Sequence, residues 1–258
     1  MSNHRQLSRL IFVSVLVVLF LATSACGKTS SELAPDTPEK ILFIGNSLTY
    51  YNGGLDHHIM ELANSADPPL TIQADSLVKP GKPLEWIWEH SKAREMIAEG
   101  DYDVVVLQDA LSLAGVESFH EHTRLFVKEI RATGAEPLLF MTWARRELTT
   151  EDIAQAFGDI AEELDVEVAP VGLAWARAME ERPDLDLYRS DKLHPSIHGS
   201  YLTVCVFYAT MFEKSPVGLS YLASHQDGAR YDDAVTEEQA AFLQHIAWET
   251  VQEYTAQD

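Results

Sequence analysis

Short apolar runs alternate with longer stretches of helical periodicity along most of the chain. Lys40 to Ile44 (KILFI) is a compact apolar run followed by Gly-Asn-Ser, the pattern of a buried strand ending in a tight turn. Leu55, Ile59, Leu62 and Ala63 then recur at helical spacing. Leu70 to Val78 carries alternating strand-like residues. Pro83 to Ala98 reads as one helix, with proline at the first helical position, where its missing N–H leaves no bond unmade. Asp103 to Leu107 (DVVVL) is a second β-branched run, and Phe119, Phe126, Val127 and Ile130 mark a further amphipathic helix. Pro137 to Thr142, a helix over Glu151 to Leu164, and Val166 to Val171 continue the alternation. Thr236-Glu-Glu-Gln239 is a capping box ahead of a last helix over Phe242 to Tyr254.

Parallel strands need crossover helices, so this alternation predicts a parallel sheet of about five strands covered on both faces. In such sheets ligands bind beyond the carboxyl ends of the strands. Ser47, Gly81, Gln108 and Trp143 each follow a predicted strand and are expected on that one edge.

The beginning of the chain has a different pattern. Arg5 and Arg9 precede an unbroken run of 13 apolar or small residues, Leu10 to Ala22. A membrane-spanning helix needs roughly 20 apolar residues, so residues 1–25 read as a signal peptide. Thr23-Ser24-Ala25-Cys26 resembles the lipobox of bacterial lipoproteins, with Thr23 where leucine is usual. The resemblance implies lipidation of Cys26 and anchoring at a bacterial membrane, facing the periplasm or the cell surface; plain secretion is the alternative. Residues 26–39 are polar, contain two prolines and have no apolar periodicity, which describes a flexible tether. The region 40–258 fits one large domain.

Charge narrows the partners. Without Arg5 and Arg9, the chain from Cys26 onward has 17 Lys and Arg against 40 Asp and Glu, a formal charge of −23. Such a surface repels phosphate backbones, so nucleic acid is not an expected partner. With Cys26 lipidated, only Cys205 remains and no intramolecular disulfide can form. Cys205 lies in the apolar run Tyr201 to Phe212, a setting for an inert core thiol.

Candidate chemistry sits near the two ends of the domain. Ser47 follows the first strand in ILFIGNSLTYYNGG. A serine hydroxyl becomes a nucleophile when a base takes its proton, and that base needs an orienting partner. YRSDKLHPSIHGSYL supplies both, Asp191 and His194, three residues apart on a turn leading into a helix. The adjacent pair His57 and His58 and the pair His120 and His122 lack the i, i+4 spacing of a helical zinc pair, and no HExxH, CxxC, phosphate-binding loop or GxSxG occurs. Neither a metal nor a cofactor is expected.

GNSLT followed by DKLHPS resembles the SGNH, or GDSL-type, serine hydrolases, over Lys40 to about Phe212. The resemblance implies a flavodoxin-like three-layer α/β/α sandwich. It implies Ser47 as nucleophile, His194 as base and Asp191 as its orienting partner. It also implies an oxyanion hole from the N–H groups of Ser47 and Gly81 and from a side-chain amide that maps to Gln108, where the family has asparagine. Asn46 likewise stands where the family motif has aspartate. The activity it implies is ester hydrolysis by acyl transfer through Ser47. No long apolar insertion separates the predicted elements around the site, and Tyr50 and Tyr51 after the serine, Trp86 and Trp88 after Gly81, and Trp143 at a strand end offer aromatic faces, so short acyl esters, acetyl above all, of a carbohydrate or similar polar molecule are the expected substrates. Tyr50 and Trp143 are expected to line the substrate site, with Trp86 and Trp88 either joining them or packing a helix on the sheet. Acyl transfer to a sugar, lipase or lysophospholipase activity, and non-catalytic glycan binding stay open as alternatives.

Overall fold

The computed structural model describes residues 37–109, 111–145, 147–219 and 235–256. The signal peptide, Cys26 and most of the tether therefore lie outside the described residues. Five strands form one parallel sheet: β1 (Lys40–Gly45), β2 (Gln73–Val78), β3 (Val104–Leu107), β4 (Glu136–Phe140) and β5 (Glu167–Ala169), in the order β2-β1-β3-β4-β5. The order reverses at β1, between β2 and β3, so the carboxyl end of β1 faces the crevice where ligands bind in doubly wound sheets.

Successive strand residues point to opposite faces, and both faces are buried. Ile41 and Phe43 face one core, while Leu42 and Ile44 face the other. The first face is covered by α2 (Leu55–Asn64), α7 (Val171–Glu181), α8 (Ile197–Phe212) and α9 (Glu237–Thr255). The second is covered by α3 (Leu84–His90), α4 (Ala93–Glu99), α5 (Val116–Thr133) and α6 (Thr150–Leu164). The architecture is the expected α/β/α sandwich. Phe207 of α8 meets Phe43 and Phe140 edge-to-face at 5.4 and 5.0 Å, which locks α8 to the middle of the sheet.

Two elements differ from the sequence pattern. The stretch expected as one helix from Pro83 to Ala98 is two, α3 and α4. Ser91 breaks it: its backbone is extended, and its hydroxyl donates to Ile87 O and accepts from Ala93 N–H, taking over bonds a continuous helix would make. The run Val166 to Val171 also holds more than a strand. β5 ends at Ala169, and Val171 already begins α7. The capping box does form, with Thr236 and Gln239 each bonding the other's backbone at the start of α9.

Candidate active site

β1 delivers the chain to Gly45, Asn46 caps a short helix α1 (Ser47–Tyr50), and Ser47 is its first residue. The turn is tightly enclosed. A Cβ on Gly45 would stand 2.5 Å from Thr49 Oγ1 and 2.7 Å from Gln108 Oε1, so only glycine fits. The Asn46 side chain is used at both ends: Oδ1 accepts from Leu48 N–H at 3.1 Å, and Nδ2 donates to Lys82 O at 3.2 Å. That second bond ties the Ser47 turn to the loop after β2, where Gly81 has φ +69°, the left-handed region that suits glycine.

The segment before α8 brings the other two residues. Ser47 Oγ lies 3.0 Å from His194 Nε2, and His194 Nδ1 lies 2.7 Å from Asp191 Oδ2. A carboxylate accepts only, so Nδ1 carries the hydrogen and the Nε2 lone pair faces the Ser47 hydroxyl. Asp191 Oδ1 accepts from the N–H groups of Leu193 and His194, each at 3.0 Å. The bond from the His194 ring, then these N–H groups, hold the Asp191 carboxyl well below the usual carboxylate range. Its side chain is 44% exposed against 18% for His194, so the ionised form is also hydrated. Lys192, at φ +51°, makes the sharp bend that lets Asp191 reach back to His194.

Beside Ser47 opens a cavity of about 130 Å³, with Gly81, Leu111, Ser112, Arg145, Leu148 and Leu193 among its walls. The Ser47 N–H, at the first position of α1, has no acceptor inside its own helix, and Ser47 and Gly81 both line this cavity. Arg145 is fixed at the wall by donating to Thr142 Oγ1 at 2.9 Å and Leu111 O at 3.0 Å. A larger hollow, about 1190 Å³, includes Glu136 and Glu167 at the amino ends of β4 and β5, the opposite end of the sheet from Ser47.

Two expected site residues turn inward. Gln108 is fully buried. Its Oε1 accepts from Asn46 N–H at 2.9 Å and from the Thr49 hydroxyl at 3.1 Å, and its Nε2 donates to Asp109 O. Its amide thus braces the backbone behind Ser47 instead of facing the cavity. Trp143 is also fully buried, stacked on Trp175 with ring centroids 3.9 Å apart, and its Nε1 donates to Leu193 O at 3.1 Å. It supports the His194 loop from below and cannot line a substrate site. Tyr50, the last residue of α1, is 52% exposed. Trp88 packs edge-on to Phe126, and Trp86 stacks on His90 under the Lys82 ammonium, so both serve the packing of α3.

Several other histidines are bonded to oxygen atoms of the fold. His58 Nε2 bonds Asn52 O, His90 Nδ1 bonds Trp86 O, His120 Nε2 bonds Ala156 O, His122 Nδ1 bonds Ser118 O, and His198 Nε2 bonds Gln239 Oε1. Burial pushes the Cys205 thiol far up, which keeps it protonated. Two contributors were not read from the sequence. Asp109, buried, accepts from Leu84 N–H at 2.6 Å and fixes the start of α3 after the Gly81 loop. Asn52 bonds the backbone that follows His194, and proximity to Ser47 was its only signal in the chain. Tyr51, expected with Tyr50 as an aromatic face for a sugar ring, instead stacks on His194.

This parallel five-stranded sheet flanked by helices matches the fold of solved SGNH hydrolases. A DUF4886 family protein from Bacteroides uniformis superposes with a TM-score of 0.66 at 15% identity, covering 83% of this chain and 95% of that one. A protein described as a putative SGNH hydrolase from Slackia heliotrinireducens superposes at 0.56 with 25% identity, over 67% of this chain and 98% of that one. An acetylxylan esterase from Geobacillus stearothermophilus superposes at 0.55 with 17% identity, over 67% and 94%. No family model and no curated protein matches the sequence.

Proposed function

We propose that the chain is a serine ester hydrolase that removes short acyl groups, with acetyl as the preferred one, from a polar substrate such as a carbohydrate. The observation that carries this reading is the continuous chain from Ser47 Oγ through the His194 imidazole to Asp191, open to a cavity at the carboxyl end of β1. In this reading His194 Nε2 takes the Ser47 proton as Oγ bonds the ester carbonyl carbon. The N–H groups of Ser47 and Gly81 receive the negative oxygen of the tetrahedral intermediate. His194 then returns the proton to the leaving alcohol oxygen as the C–O bond breaks. Water, deprotonated in turn by His194, attacks the acyl-Ser47 carbonyl, and the acid departs with Ser47 restored.

Size supports a short acyl group. The cavity of about 130 Å³ closes against Leu48, Leu111 and Leu148, with Arg145 at the wall, and offers an acyl chain little room. Tyr50, exposed three residues after Ser47, offers a flat face with a wet hydroxyl, the combination that suits a sugar ring. The likeness in fold to an acetylxylan esterase is consistent with that choice. The test is a series of 4-nitrophenyl esters from two to twelve carbons alongside acetylated sugars. Turnover should be highest at two carbons; a peak at eight or more, with no acetate released from any sugar, would remove the proposal.

We also propose export and lipidation at Cys26. Mass spectrometry of protein from its native membrane should find a lipid-modified Cys26 as first residue; an unmodified terminus there would refute anchoring.

A further inference from the structure

We infer that Tyr51 is the positioning residue of the His194 imidazole, an inference that rests on the serine-hydrolase reading above. The two rings stack with centroids 4.2 Å apart and planes 20° from parallel. The His194 ring is bonded at its two nitrogens, to Asp191 at 2.7 Å and to Ser47 at 3.0 Å. Those bonds hold the nitrogens within the ring plane. They bend easily along the ring normal, and a swing of the ring in that direction carries the Nε2 lone pair off the Ser47 hydroxyl. A flat contact on the ring face opposes that motion directly.

Tyr51 is itself held from both sides of the site. Its N–H donates to Ser47 O, closing α1 on the nucleophile. The next residue, Asn52, sits at φ +57° and places its Nδ2 within 2.8 Å of Ser200 Oγ, 2.9 Å of Ser196 O and 3.0 Å of Pro195 O. The Asn52 carbonyl accepts from His58 Nε2 at 2.7 Å. Residues 51 and 52 therefore join the Ser47 turn to the segment that carries His194. Arg189 completes the stack. Its guanidinium lies 5.2 Å from the Tyr51 ring centroid, and its own N–H donates to His194 O at 2.9 Å. The loop from Arg189 to His194 thus wraps Tyr51, and the aromatic face is spent on the imidazole, leaving Tyr50 as the neighbour free to meet substrate.

The experiment compares Tyr51→Phe, which keeps the ring, with Tyr51→Leu, which keeps apolar bulk without a flat face. Ester hydrolysis and the rate of Ser47 modification by a small fluorophosphonate are both followed, with thermal unfolding to confirm the fold. A displaced base costs rate and not affinity, so Tyr51→Leu should lose on the order of 10- to 100-fold in kcat with KM little changed, and in modification rate alike, while Tyr51→Phe stays within about threefold of the parent. Should Tyr51→Leu not fold, Tyr51→Met is measured in its place with the same expectation. The inference is overturned if the Leu or Met variant keeps the parent kcat, if Phe falls as far as Leu, or if KM rises with kcat unchanged, which would make Tyr51 a substrate contact. Ser47→Ala and His194→Ala run in parallel. If those two keep activity, the serine-hydrolase reading itself fails; if they lose it while Tyr51→Leu does not, only this inference fails.

Discussion

The side-chain amide of Asn46 donates to the carbonyl of Lys82 across 3.2 Å, joining the turn that presents Ser47 to the loop that presents Gly81. Aspartate, which the GDSL motif has at this position, carries no hydrogen to give when ionised. Its carboxylate would keep the capping bond to Leu48 N–H but oppose the Lys82 carbonyl. Asn46 therefore makes a bond that aspartate could not, tying the turn of Ser47 to the loop of Gly81, the two residues whose N–H groups receive the oxyanion in the proposed mechanism.

Asn46→Asp is accordingly expected to lower kcat, by roughly 10-fold if the Gly81 N–H is displaced, against the 10²- to 10³-fold typical for losing such a donor outright. Steady-state kinetics on an acetate ester checks this. Unchanged or improved turnover would show that the Lys82 tie is dispensable.

Gln108 separates two accounts of the oxyanion site. As a brace, its Oε1 holds the buried Asn46 N–H at 2.9 Å, so Gln108→Ala strands that donor. An unsatisfied buried group costs roughly 1–3 kcal/mol, and urea denaturation should show a loss of that size. A variant of parent stability whose kcat falls about 10²-fold would instead restore Gln108 as a direct donor.

Asp109 should leave a mark on the pH dependence of stability. Burial is the main cause that pushes its carboxyl from 3.8 up to about 6, against the Leu84 N–H bond and the charges of Arg145 and His122, which pull it down. A carboxyl raised on folding contributes its stability fully below 3.8 and loses it as pH rises through about 6. Asp109→Asn still accepts from Leu84 N–H but does not titrate. Relative to that variant, the parent should lose about 2 kcal/mol between about pH 4 and 7, because each tenfold change in proton affinity between the folded and unfolded chain is worth about 1.4 kcal/mol. A stability difference that stays flat across this window would contradict the assignment. Asp191 has the opposite sign, its contribution present above 3.8 and lost as pH falls, and solvent screens it because the group is nearly half exposed.

The sheet was legible in the sequence because parallel strands buried on both faces read as unbroken apolar runs, as in KILFI and DVVVL. Helix α7 was not, because Val168 to Val171 runs on without a polar break and nothing but Pro170 marks where strand becomes helix. The break at Ser91 was hidden for a related reason: serine is tolerated in helices, and its local bonds appear only once Ile87 and Ala93 are placed. Ser47, Asp191 and His194, which the fold joins in one hydrogen-bonded chain, could be picked out because GNSLT and DKLHPS resemble family motifs and stand in order at opposite ends of the domain. Position at a strand's carboxyl end identified the right edge for Gln108 and Trp143 but not the direction of either side chain. Both are covered by neighbours that come from distant sequence, Asn46 over Gln108 and Trp175 with Leu193 around Trp143.

The most direct test of the account is to react the intact protein with a fluorophosphonate and map the adduct by peptide mass spectrometry, in the parent and in His194→Ala. The account predicts one stoichiometric adduct, on Ser47, with ester hydrolysis lost in step, and little or no adduct when His194 is replaced. Full ester hydrolysis in protein whose Ser47 is modified, or an adduct on another serine that alone accounts for the loss, would contradict it.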